Sequence, residues 1–69
     1  MKDLATLGHR IRHFRGVAGL TLDQLGAQVG IAGSQLSLIE NGRREPRLSL
    51  IGTIATALGV SASTRSVMS

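Results

Sequence analysis

The segment Thr21–Arg44, TLDQLGAQVGIAGSQLSLIENGRR, constrains the fold of this chain more than any other stretch. Its apolar residues recur at helical spacing in two short runs, Leu22, Leu25 and Val29, then Leu36 and Ile39. Between the runs Gly30 permits the positive φ of a tight turn, and Ile31 can anchor that turn to a core. Thr21 is a suitable N-cap for the first helix, and Gln24, three residues on, completes a capping box. Gly26 falls where the following helix must pass closely and a side chain would hold the two apart. The second helix is expected over residues 33–40, with Ser34, Gln35, Ser37 and Leu38 on its remaining faces. Asn41-Gly42 ends it, both residues tolerating left-handed geometry.

Helical spacing continues on both sides of this unit. Leu4, Leu7, Ile11, Phe14 and Ala18 define one face of a preceding helix, capped by Asp3 and closed by Gly19 at the C′ position. Leu48, Ile51, Ile54, Ala55 and Leu58 define the stripe of a following helix that Gly59 stops. No segment alternates as a strand would, and no internal repeat is present. The expected fold is therefore all-α, four helices with at most a ragged fifth turn. Residues 1–61 form one domain. Residues 62–69 are polar and aperiodic, and are expected to be a frayed tail or the start of a linker to a C-terminal region absent from this chain.

Composition narrows the function. Sixty-nine residues make a single small domain with a modest core. The chain has no cysteine, which excludes disulfides and thiolate zinc sites and suits a reducing, cytoplasmic setting. Eight Lys+Arg against four Asp+Glu give a net charge of +4, a balance that fits a polyanionic partner and also fits ordinary surface solubility. No apolar run approaches a membrane span, and Met1-Lys2-Asp3 does not begin a signal peptide. Phe14 is the single aromatic residue, too few for binding single-stranded nucleic acid by base stacking. A compact helix offering small polar groups, followed by the basic loop Arg43-Arg44-Glu45-Pro46-Arg47, fits the major groove of duplex DNA.

The segments Leu7-Gly-His-Arg-Ile-Arg-His-Phe-Arg15, Gly19-Leu-Thr21, Gln35-Leu-Ser-Leu-Ile-Glu-Asn-Gly-Arg-Arg-Glu-Pro46 and Ile54-Ala-Thr-Ala-Leu-Gly-Val60 together resemble the phage lambda repressor and Cro (XRE-like) helix-turn-helix family. The resemblance spans about residues 4–61. It implies a sequence-specific binder of double-stranded DNA, usually a repressor acting as a homodimer, whose third helix enters the major groove by its N-terminal end. On the matching positions Gly33, Ser34, Ser37 and Leu38 would face bases, Gly33 only through its backbone or a water since it has no side chain, and Leu38 meeting a thymine methyl group or serving only as a packing residue. Arg10, Gln35, Asn41, Arg43, Arg44 and Arg47 would lie along phosphates, with Arg47 able to reach a narrow minor groove. Arg15 and Glu40 match a structural ion pair between the first and third helices. This chain departs from the pattern in carrying Leu22 where many relatives place a phosphate-touching Gln or Ser, and Gly26 where alanine is usual. The family's last helix, which often builds the dimer contact, has no counterpart after Ser61, so the resemblance leaves open whether this chain dimerises by itself or through a region absent from it.

Other chemistries have less support. His9 and His13 are one helical turn apart, as metal ligands can be, but no third ligand accompanies them, so no metal or cofactor is expected. The serines lack a base and an orienting acid, and no glycine-rich phosphate loop follows a strand, so no catalytic residue is assigned and the chain is read as a non-enzyme. The remaining alternative is a protein-binding module, or the antitoxin of a toxin–antitoxin system, built on the same fold.

Overall fold

The computed structural model describes residues 3–59. They form four helices, α1 (Leu4–Val17), α2 (Leu22–Val29), α3 (Gly33–Glu40) and α4 (Leu48–Leu58). The expectation for residues 62–69 lies outside the described residues. α2 and α3 pack on each other, α1 lies across α3, and α4 closes the bundle against α2 and α1. The core is small: Ile11, Leu25, Leu36, Ile39 and Ile54 are buried, and Leu7, Leu20, Leu22, Val29, Ile31, Leu50, Ala57 and Leu58 pack around them.

The local signals explain the helix ends. Asp3 Oδ1 accepts from the Ala5 and Thr6 amides at 3.1 and 3.3 Å, and Oδ2 accepts from the Thr6 hydroxyl at 2.8 Å. These bonds, that of the Thr6 hydroxyl foremost, hold the Asp3 carboxyl below its ordinary value. α1 ends in a Schellman motif, the Gly19 amide bonding the Gly16 carbonyl at 3.0 Å and the Leu20 amide bonding the Arg15 carbonyl at 3.1 Å. The capping box of α2 forms in both directions. Thr21 Oγ1 accepts from the Gln24 amide at 3.0 Å, and Gln24 Oε1 accepts from the Thr21 amide at 2.8 Å. Gly26 is buried, and a Cβ there would lie 2.5 Å from the Ile31 carbonyl oxygen. The turn itself, rather than a later part of α3, makes this close approach.

Two stripes differ from the expectation. On α1, Phe14 is 36% exposed and Ala18 is exposed beyond the helix end; the inward face runs Leu7, Gly8, Ile11, Arg15. A charged residue takes the last inward position because its partner, Glu40, is buried on the neighbouring helix. On α4, Leu48 is 83% exposed, while Leu50, Ile54, Ala57 and Leu58 face the core. With Ile54 fixed inward, residues four before and three or four after share its side, whereas Leu48 is turned about 120° away. At the end of α3, Asn41 is not left-handed (φ −91°), and Gly42 alone makes the turn (φ 72°).

Gly8 makes a contact that helical spacing gave no reason to expect. A Cβ on it would run into the Glu40 carbonyl oxygen and stand 2.6 Å from that of Ile39. α1 therefore crosses the C-terminal turn of α3 backbone to backbone. Gly8→Ala should destabilise the domain by about 1–3 kcal/mol through overpacking. Gly52→Ala, where nothing lies within 4 Å of the added carbon, should stabilise α4 by about 0.5–1 kcal/mol. Thermal melting of the two variants checks both signs. Because the Asp3 carboxyl is depressed, its stabilisation is present above the ordinary carboxylate value and lost as pH falls through the lower folded value. Asp3→Asn keeps a capping group and removes this titration, so the variant's stability should fall less steeply in acid, as read by melting against pH.

Candidate nucleic-acid interface

The inward face of α3 carries Leu36, Ile39 and Glu40, all buried. Helical geometry then turns Ser34, Ser37, Leu38 and Asn41 away from the core. Ser34 and Asn41 are exposed, Leu38 is 37% exposed, and Gln35 and Ser37 are half-buried. The outer face of α3 is thus open along its length. Asn41 folds back on the helix: its Nδ2 donates to the Ser37 carbonyl at 2.9 Å.

Gly33 does not share this open face. It is buried, and the place a side chain would take there is held by the Asp23 carboxylate of α2. Gly33 therefore offers no side chain to this face, and α2 crosses over the first residue of the helix.

The cations are arranged by the turn that ends α3. A second Schellman motif joins the Gly42 amide to the Ile39 carbonyl at 3.1 Å and the Arg43 amide to the Leu38 carbonyl at 2.9 Å. Arg43 therefore leaves α3 at a fixed angle. Pro46 is buried, pinning the loop 43–47, while Arg43, Arg44 and Arg47 are exposed. Arg44 and Arg47 line one open groove together with Gln35 and Ile31, so two of the cations flank the side of α3. Arg10 is exposed on α1, outside that groove.

Arg15 and Glu40 form the bridge between α1 and α3. Nε donates to Glu40 Oε2 at 2.6 Å and an Nη to Oε1 at 3.1 Å, while the other Nη donates to the Leu20 carbonyl at 2.8 Å. The side chains are 17% and 5% exposed. The hydrogen bonds to Glu40 hold the guanidinium above its ordinary value despite partial burial.

His9 and His13 are both exposed on α1, and the His13 ring meets Phe14 edge-on with centroids 5.2 Å apart. Among the described residues no group of three or more His, Cys, Asp or Glu could hold a metal ion, and no helix is long and apolar enough to cross a membrane.

A helix whose outer face is open, overlain at its first residue by the preceding helix and followed by a cationic loop, has the geometry of a helix-turn-helix. Residues 6–68 match a family model described as a helix-turn-helix domain. The chain belongs to that family. Among solved structures, the restriction-modification controller protein C.AhdI from Aeromonas hydrophila is similar at 34% identity and TM-score 0.82, over 86% of each chain. The clp gene regulator ClgR from C. glutamicum is similar at 32% identity and TM-score 0.84, over 90% of this chain and 80% of that one. No curated protein matches the sequence significantly. The XRE or lambda-repressor-like resemblance and the all-α fold are both shown by these matches, and the helix-turn-helix chain is a DNA-binding transcriptional regulator.

Removing one partner from a shielded ion pair leaves a buried charge, at a cost of about 3–5 kcal/mol. Arg15→Ala should therefore unfold or strongly weaken this helix-turn-helix before it alters any sequence preference. Equal melting temperatures for variant and parent would reject that role.

Proposed function

We propose that this helix-turn-helix chain is a repressor that binds a specific duplex operator, laying the outer face of α3 in the major groove. The observation that carries the reading is the exposure of Ser34 and Leu38 on a helix whose opposite face is the domain core. Ser34, Ser37 and Leu38 set base preference: hydroxyls suit either donors or acceptors on base edges, and the leucine suits a thymine methyl group. Arg10, Gln35, Asn41, Arg43, Arg44 and Arg47 hold the sugar–phosphate backbones and set affinity. The controller and gene-regulator roles of the two similar proteins support a regulatory task. Repression follows when an occupied operator blocks polymerase. The protein acts in the cytoplasm as a homodimer on DNA, with half-sites about 34 Å apart, and the reading assigns it no catalytic step, metal or cofactor.

Binding to random duplex should weaken steeply with salt. Arg10, Arg43, Arg44 and Arg47 on two subunits give about eight phosphate contacts and a log–log slope near −7. A flat response would favour a protein-binding module instead. Ser34→Ala should change which sequences are preferred, whereas Arg43→Ala should lower affinity for all of them. Selection from random duplex DNA with each variant separates the two roles, and equal shifts in preference would overturn the assignment.

A further inference from the structure

We propose that Asp23, on α2, is a base-reading residue that accepts a hydrogen bond from the exocyclic amine of a cytosine beside the leading turn of α3. The proposal rests on the DNA-reading function above. Position 33 opens the reading helix and has no side chain. The space is not empty: a Cβ there would collide with Asp23 Oδ1 and lie 3.1 Å from Asp23 Cγ. The carboxylate thus fills the space that a side chain of residue 33 would take, at the leading turn of α3. Asp23 is exposed, and no side-chain hydrogen bond among the described residues ends on it. Nor does the N-cap of α3, Ala32, supply a side-chain bond that would engage this end of the helix. An exposed carboxylate in the first turn of α2 therefore lies against Gly33, the residue that precedes Ser34, the first open position of α3.

Its chemistry selects the base. An ionised carboxylate only accepts. In the major groove guanine presents O6 and N7 and thymine presents O4, all acceptors that repel it. Adenine offers its N6 amine but sets the N7 acceptor beside it. Cytosine alone offers an amine donor without an adjacent acceptor. The carboxylate also repels phosphate, which keeps α3 from settling on a backbone instead of base edges.

The test is selection from random duplex DNA with the parent chain, Asp23→Asn and Asp23→Ala, each checked for folding by thermal melting. The parent should enrich cytosine at one position in each half-site. Asp23→Asn, nearly isosteric, should convert that position to adenine, because a carboxamide can bond N6 and N7 together. Asp23→Ala should lose preference there and keep it elsewhere. Replacing the selected cytosine by thymine should weaken parent binding roughly 5- to 100-fold and leave Asp23→Ala binding unchanged. Identical preferences in parent and folded variants would overturn the assignment of Asp23 alone. A lower melting temperature with unchanged preferences would do the same, marking Asp23 as a helix cap. If the parent enriches no sequence, the DNA-reading function fails and this proposal with it.

Discussion

The bridge from Arg15 to Glu40 is the constraint on which the rest of the structure depends. A helix of only eight residues buries two aliphatic side chains, Leu36 and Ile39, and the ion pair adds a directional contact to that packing. The bidentate pair sets the direction of α3 relative to α1, and a planar guanidinium meeting a planar carboxylate tolerates little rotation. The third guanidinium bond, to the Leu20 carbonyl, ties the same group to the segment that leads into α2. One side chain thus joins three parts of the chain, and Gly8 lets the backbones come close enough for it to reach.

Fixing α3 also fixes the loop after it. The Schellman turn at Gly42 hands the chain directly to Arg43, and the burial of Pro46 anchors the far part of the loop against the domain. The cations therefore stand beside the helix as a consequence of how the helix ends. Attraction between exposed charges falls off within about 8–10 Å at ordinary salt, so this proximity lets the cations and the outer face of α3 act on the same stretch of a polyanion. The Asp23 carboxylate belongs to the same logic with the opposite sign. It places a negative charge against the first residue of α3.

The elements were legible where local signals decide them. The capping box at Thr21 and Gln24, the turn at Gly30 and the limits of α3 needed only residue types at fixed spacing. The stripes of α1 and α4 were not. Phe14 and Leu48 fit a helical period but are exposed, because a period states which residues share a face and leaves open which face meets the core. Arg15 occupies an inward position that hydropathy assigns to an apolar residue, and only its partner accounts for that. Gly8 and Gly33 carried no local signal, since a missing side chain has meaning only through the neighbour that fills or crosses its space.

The sequence by itself determined the four helices, their caps, the tight turn between α2 and α3 and the placing of three arginines just after α3. These depend on interactions over a few residues, which composition and spacing encode directly. Only the tertiary structure decided which faces of α1 and α4 are buried, that Gly8 lies on the carbonyls of α3, and that Asp23 covers Gly33. Each of these joins residues 10 or more apart in the chain. Such contacts exist only after the helices have packed, when the direction of every side chain is set by the neighbour it meets.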